Sequence, residues 1–166
     1  MFDYISYFQR LTGINRLAKT HRFEACTCSG VDYLEGVLER FRTSSHLVCI
    51  SDVCEESTFQ QGGGWFRRRL ITVFLLARFN PAKSGDRETQ MALCRELYRQ
   101  FVSYMLHERS GLSDKLLYLD LSDIRSRELG GSFLNNCTGL YFMLAVDEPT
   151  DLIFRDTEWA EEPPLN

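Results

Sequence analysis

The sequence contains no apolar run long enough to cross a bilayer. The longest run, Leu70 to Ala77, is interrupted by Thr72 and is far shorter than the roughly 20 residues that a membrane-spanning helix needs. An acid, Asp3, occupies the amino terminus, where an export signal would have a basic start and then a continuous apolar segment. We therefore expect a cytosolic protein without a membrane span.

An excess of basic residues is also missing, since the net charge is −4. Proteins that bind nucleic acids in general carry an excess of basic residues clustered on one face, so this negative net charge argues against such a function. The one basic cluster, Arg67 to Arg69, follows Trp65 and Phe66, so a nucleic-acid contact stays an alternative. Salt bridges across a hairpin to Glu55 and Glu56 are the simpler interpretation, because arginines in a strand point alternately to both faces.

No catalytic or nucleotide-binding motif is present. Gly62-Gly63-Gly64 lacks a following Gly-Lys-Ser/Thr and precedes a predicted strand, whereas a phosphate-binding loop opens a helix. His21, His46 and His107 have no partner at helical spacing and no recognisable nucleophile motif. The sequence thus indicates the fold of the protein more clearly than any catalytic or binding reaction.

Several carboxylates lie at the ends of predicted strands, where a metal-dependent hydrolase would hold magnesium. They are Asp52, Glu55, Glu56, Asp120 and Asp123. Solvated strand edges that discourage edge pairing explain the same residues. We predict no metal site and no cofactor, and we keep the hydrolase, acting through Asp52, Glu55 and Asp120, as an alternative.

The six cysteines are interpreted as reduced structural thiols, since no export signal accompanies them. They are Cys26, Cys28, Cys49, Cys54, Cys94 and Cys137. Structural zinc favours two close pairs of thiols on tight turns, and only Cys26 and Cys28 are close in sequence.

The central feature is a long apolar strand from Trp65 to Phe79. Alternation puts Ile71, Val73, Leu75 and Ala77 on one face and Leu70, Phe74 and Leu76 on the other. Both faces of the strand are apolar, so other elements must bury each of them.

A long amphipathic helix, Asp86 to Arg109, supplies one cover. Its apolar residues recur at steps of three and four and include Met91, Cys94, Leu97, Tyr98, Phe101 and Met105. Ser84 or Asp86 is the predicted amino-terminal cap and Gly111 the predicted stop. The helix should pack on the strand with Phe74 and Phe101 in the core.

The rest of the chain predicts further elements. These are an amino-terminal helix at Phe2–Leu11 ending near Gly13, a strand at 21–28, a helix at 31–41, a strand at 46–59, and strands at 115–121, 139–146 and 152–154. A turn is expected at Gly130-Gly131. The predicted fold is a single α+β domain with a mainly antiparallel, possibly mixed sheet. It comprises an amino-terminal helical part (1–45), the sheet with the long helix (46–154) and an acidic, poorly ordered tail (155–166).

The hairpin between 46 and 79 should end in a flexible polar tip. Its residues are Gln60, Gln61, Gly62, Gly63, Gly64 and Trp65. Three consecutive glycines lose much backbone entropy on ordering. We expect the tip to be mobile in the free protein and to order against a neighbouring subunit or partner.

In size and element order the chain resembles the small α+β proteins that terminate or complete the tails of long-tailed bacteriophages, and related tube-capping proteins of contractile injection systems. The resemblance covers roughly Phe23 to Phe154 and carries over no functional residue. It implies a non-enzymatic homo-oligomeric ring, possibly hexameric, that joins the tail tube to the head connector. Its location would be the cytoplasm of a bacterial host and then the virion. The apolar residues on both faces of strands 70–76 and 140–146 fit burial by a neighbouring subunit or by the amino-terminal helices.

Overall fold

A computed structural model describes residues 2–30, 34–40, 42–130 and 136–159. The helices are α1 (Tyr4–Ile14), α2 (Arg16–Thr20), α3 (Leu34–Arg40) and α4 (Asp86–Ser113). The strands are β1 (Phe23–Cys28), β2 (His46–Ser51), β3 (Glu55–Gln61), β4 (Gly64–Arg78), β5 (Tyr118–Leu129) and β6 (Cys137–Pro149). A short 3₁₀ turn follows at Asp156–Glu158.

The strands form one mixed sheet in the order β1-β2-β4-β6-β5, and β3 pairs with the amino-terminal half of β4. Only β1 and β2 are parallel, and the other pairs are antiparallel. The predicted α+β fold with a mainly antiparallel sheet is therefore confirmed. Strand β4 is central because it pairs with β2, β3 and β6.

The first face of the sheet carries the main core. Ile71, Val73, Leu75 and Ala77 of β4 are buried there, as predicted, against α1 and α4. The predicted stripe of α4 is buried too, with Phe101 only 1% exposed. Its buried members are Met91, Cys94, Leu97, Phe101 and Met105. Helices α1 and α4 therefore both cover this one face.

The second face is covered only at one end. Helix α3 packs Leu34, Val37 and Leu38 against a group that includes Phe74 and Leu76. Phe74 is fully buried, so the predicted burial of both Phe74 and Phe101 is confirmed. Of the predicted amino-terminal helices, α1 lies on the first face, whereas α3 lies on the second face and covers part of it, as one of the two alternatives predicted.

Both predicted ends of α4 need correction. Neither Ser84 nor Asp86 caps the helix; Gly85, at φ +76°, is the cap residue. The Asp86 carboxylate instead accepts the backbone amide of Asn80 at 2.7 Å and closes the preceding turn. The helix passes Gly111 and ends at Ser113, and Leu116 takes the left-handed conformation expected of a terminating glycine, at φ +58°.

Other boundaries also differ from the predictions. The single strand predicted at 46–59 is two strands, because the chain leaves the ladder between Ser51 and Glu55. Strand β5 continues through the charged stretch after Leu121, because an exposed edge strand accepts charged side chains. The strand predicted at 152–154 is wrong, since no ladder includes those residues. The ends of the predicted helix 31–41, Gly131 and residues 160–166 lie outside the described residues.

Candidate functional site

The tip of the hairpin is shorter than predicted. Gln60 and Gln61 end β3, and the ladder closes at the pair Gln61 and Gly64. Only Gly62 and Gly63 form the turn, with φ values of +59° and +82°. A two-residue turn with both φ values positive matches the twist of antiparallel strands. The five-residue turn is therefore wrong, whereas ordering of the tip against a partner stays a prediction.

An aromatic groove lies beside this tip on the second face of the sheet. The rings of Phe59 and Phe66 stack at 5.7 Å, and Tyr118 meets Phe66 edge-on at 6.1 Å. The guanidinium of Arg68 lies 5.3 Å from the centre of the Phe59 ring. With Gln61 and Asp147 these rings line a cavity of about 410 Å³, here called the tip groove. Trp65, 44% exposed, belongs to the opposite face because side chains alternate along β4.

The three consecutive arginines are paired mainly with β6 and less with β3 than predicted. Arg68 binds both carboxylate oxygens of Asp147, at 2.7 and 2.8 Å. This pairing raises the pKa of Arg68. Arg69, which is buried, pairs with Glu148. Of the predicted partners only Glu56 is near an arginine, 4.0 Å from Arg67.

This pairing follows from the register, because Arg68 lies directly opposite Asp147 and Arg67 opposite Glu148. Each of the three guanidinium groups lies within 4.0 Å of a carboxylate. The local charge is therefore largely balanced, which weakens the nucleic-acid alternative.

The strand-end carboxylates do not converge. Glu55 and Asp120 lie in one row across the sheet, separated by the two strands that carry Leu70 and Ala145. Three interstrand spacings amount to about 14 Å, too far for one ion to bridge. Asp52 accepts the hydroxyl of Ser29. Within the described residues no group of three potential metal ligands is present.

The remaining predicted members of that acidic set are also occupied elsewhere. Glu56 faces Arg67, and Asp123 accepts a hydrogen bond from Arg125 at 3.1 Å. The hydroxyl and backbone amide of Ser122 lower the pKa of Asp120. These carboxylates thus serve local pairing along exposed strands.

Five of the six cysteines are buried, in agreement with the prediction of small core residues. Cys26 and Cys49 face each other across the parallel pair, with 3.0 Å between the sulfur atoms. Burial raises the pKa values of Cys28 and Cys94 to about 12. These thiols stay protonated and unreactive at neutral pH.

The histidines are separated as well. His21 and His46 lie near each other, with ring centres 5.9 Å apart. His46 shares a 2.9 Å hydrogen bond with Gln90, and His107 lies on α4 beside Tyr104. No serine or cysteine nucleophile is bonded to a histidine among the described side chains, so the histidines form no triad there.

The chain after β6 exposes four large apolar side chains close together in sequence, which the sequence analysis did not predict. Every residue from Asp151 to Trp159, here called the arm, is exposed. Leu152 is 50% exposed, Ile153 71%, and Phe154 and Trp159 67% each. Three consecutive apolar residues and a tryptophan after the Glu148-Pro149 strand ending are the signal for this segment in the sequence, but the same residues also fit the short strand and the tail predicted above.

The arm has an internal structure of its own. Arg155 pairs with Asp151 and Glu158, and the rings of Phe154 and Trp159 stack at 6.0 Å. At its root, the amide of Thr150 donates to the carbonyl of Trp65 at 2.9 Å. The arm therefore starts beside the tip of the hairpin.

A cleft opens on the other side of α1, where the junction of α1 and α2 meets α4. Its floor contains Leu11 and Phe101, and Ile14 at the rim is 47% exposed. Arg16 and Arg99 contribute positive charge. The volume is about 570 Å³, and we call this space the helical cleft.

The walls of the helical cleft are fixed by polar contacts. Asn15 caps α2 by accepting the amide of Ala18 at 2.8 Å, and its side-chain amide donates to Gln100 at 2.9 Å. Arg10 binds both oxygens of Glu108 at 2.9 and 3.0 Å, tying α1 to α4. The cleft is thus a preformed space between rigid helices.

No family model matches this chain, and no curated protein sequence matches it either. In the described part of the chain, no helix is both long and apolar enough to span a bilayer. Function must therefore be argued from the surfaces: the tip groove, the arm and the helical cleft.

Proposed function

We propose that this chain is a non-enzymatic assembly subunit that forms a homo-oligomeric ring, with six copies as the expected number, at the end of a bacteriophage tail tube. The ring would connect the tube to the head connector, first in the host cytoplasm and then in the virion. The α+β fold, with its long hairpin and its long helix packed on a mixed sheet, is compatible with the resemblance to tail-terminating proteins.

The observation that carries the proposal is the exposure of four large apolar side chains in one short arm, Leu152, Ile153, Phe154 and Trp159. Burying each such side chain stabilises a complex by about 1.5–3 kcal/mol. Together they offer roughly 6–12 kcal/mol before the costs of ordering and association are subtracted. An exposed apolar patch of this kind marks an interaction site.

The uncovered end of the second sheet face supports the same proposal. Leu70, Thr72 and Met143 are only partly buried there and, with the exposed Val53, line a groove of about 320 Å³. An antiparallel sheet tolerates one wet face, but that face is then mostly polar. A neighbouring subunit would bury these residues.

Size-exclusion chromatography with light scattering tests the proposal. We expect the full chain to elute as a closed oligomer, and negative-stain images to show rings that bind one end of tubes assembled from a phage tail-tube protein. A chain that stays monomeric over a wide concentration range and ignores the tubes would contradict it.

The rival hydrolase has a separate test. A magnesium or manganese site stabilises the folded state by mass action. Titrating either ion while following the melting temperature should leave it unchanged; a rise of many degrees would favour the enzyme.

A further inference from the structure

The arm and the helical cleft have complementary chemistry. The arm carries Asp151, Asp156 and Glu158 against a single cation, Arg155, and its aromatic rings are exposed. The cleft contains an apolar floor and two arginines, and no carboxylate lines it. An acidic, aromatic segment is thus matched by a basic, apolar space.

One arginine of the cleft has no ion pair within the described structure. Arg99 is held by Glu96 at 2.7 Å, whereas Arg16 is exposed at the start of α2 and makes no described salt bridge. The tip groove differs, because its arginine, Arg68, is already engaged by Asp147. The helical cleft is therefore the better receptor for a segment with acidic residues.

We propose that the arm of one copy of this chain binds in the helical cleft of a second copy, with Phe154 and Trp159 on the floor formed by Leu11 and Phe101. Asp156 or Glu158 pairs with Arg16. This inference rests on the proposed function, because it names the contact by which the ring assembles.

A second copy is the proposed occupant because the arm does not enter the cleft of its own chain in this structure. The arm starts at the end of β6, near the amino-terminal end of α1, because the Phe2 amide binds Glu148 at 2.8 Å. The cleft lies at the other end of α1, about 16 Å away for eleven residues of helix. In this structure the arm is folded on itself and leaves its own cleft open.

Because arm and cleft are different surfaces, the contact is head-to-tail. Such a contact propagates from copy to copy and gives a ring when the rotation closes. The inferred contact therefore explains a ring, whereas a self-complementary patch would stop at a dimer.

The experiment uses one variant on each side of the contact. Phe154→Ala/Trp159→Ala removes the aromatic rings of the arm, and Arg16→Glu reverses the charge of the cleft. All three residues are exposed, so folding should survive, which circular dichroism checks. By light scattering we expect each variant to dissociate at a concentration at least about tenfold higher than the native chain. The arm variant loses two aromatic contacts, and the cleft variant places a carboxylate against the acidic residues of the arm; a tenfold change corresponds to about 1.4 kcal/mol.

Two controls match these changes elsewhere on the surface. Leu116→Ala removes a comparably exposed apolar side chain, 57% exposed, and Arg42→Glu reverses an exposed charge in the turn after α3. Both controls should assemble as the native chain does.

Mixing the two variants gives the decisive measurement. The arm variant keeps an intact cleft, and the cleft variant keeps an intact arm, so one native contact can form between them. We expect a heterodimer that cannot grow, at concentrations where each variant alone is monomeric. No heterodimer under these conditions would overturn the inference.

A fluorescence measurement reports on the same contact independently. The chain has two tryptophans, so in a Trp65→Phe background Trp159 is the sole emitter. Its emission should shift to shorter wavelength as the concentration rises and assembly proceeds. An unchanged spectrum in assembled rings would place the arm outside the contact.

The outcomes separate this inference from the proposed function. Rings that form equally well from both variants would overturn the arm-to-cleft contact and leave the assembly role standing on another surface. A native chain that stays monomeric would overturn both.

Discussion

Gly139 gives a sharp stability prediction, because an added side chain there would meet the backbone of the neighbouring strand β4. It lies opposite Leu76 in the ladder between β4 and β6 and has a φ of +148°. A Cβ atom added at this position would lie 2.0 Å from the carbonyl oxygen of Leu75 and 3.0 Å from the Cα of Leu76. Both are backbone atoms, so relief requires the strands to separate.

The expected cost of Gly139→Ala combines two terms. A non-glycine residue in such a backbone conformation costs about 1–3 kcal/mol. Losing one or two ladder hydrogen bonds as the strands separate adds about 0.5–1.5 kcal/mol each. We therefore expect the free energy of unfolding to fall by about 1.5–6 kcal/mol.

Urea unfolding followed by circular dichroism measures this loss as a lower midpoint. Gly111→Ala is the matched control, because nothing lies within 4 Å of an added Cβ there and a helical position gains up to about 1 kcal/mol from alanine. Its midpoint should rise. A Gly139→Ala midpoint equal to that of the native chain would refute the close approach of β4 and β6.

Three further predictions address the core and the ion pairs. Phe101→Ala should lower the unfolding free energy by about 3–5 kcal/mol in urea titrations, because the ring is buried. Arg69→Met should lower the free energy of unfolding by about 1–3 kcal/mol in the same titrations, because it removes the buried guanidinium that pairs with Glu148 and donates to the carbonyl of Phe2. Arg10→Ala should lower the free energy of unfolding, measured by urea titration, by about 1 kcal/mol at neutral pH. Burial raises the pKa of Glu108, but the hydrogen bonds from Arg10, Tyr7 and Tyr104 together outweigh it and lower the pKa, so the difference between native and variant should shrink as the pH falls below about 4.3 and vanish only below that lowered pKa. A difference that persists in acid would show that Arg10 acts by packing alone.

The core could be predicted from sequence because period and burial agree there. The apolar stripe of α4 that ends at Met105 and the alternation around Phe74 in β4 each mark a buried face of a single element. Both predictions were confirmed. The break between β2 and β3 could not be predicted, because the polar residues after Ser51 alternate much as a continuous strand would. Both β2 and β3 pair with the long strand β4, and the boundary between them is the stretch where the chain leaves this ladder.

The candidate site was harder to predict from sequence, because the exposure of the arm, the arginine pairs and the cleft all depend on how the elements are arranged in space. The arm residues Ile153 and Phe154 have strand propensity, but β6 already lies between β4 and β5 in the sheet, so the chain that follows it has no ladder to join there. The arginine pairs depended on register, since Asp147 is far from Arg68 in sequence yet directly opposite in space. The helical cleft arises from the junction at Asn15, where two helices meet at a single capping residue.

The central position of β4 has a consequence for how the chain folds. Strand β4 first meets β3 through a two-residue turn, but its other long neighbour, β6, follows only after α4 and β5. During synthesis the edge of β4 around Ile71 that pairs with β6 therefore stays unpaired until the last strand has been made. Unpaired apolar strand edges of this kind are prone to aggregation. Nascent chains that end before Cys137 should consequently need chaperone protection, and only completion of β6 should release them.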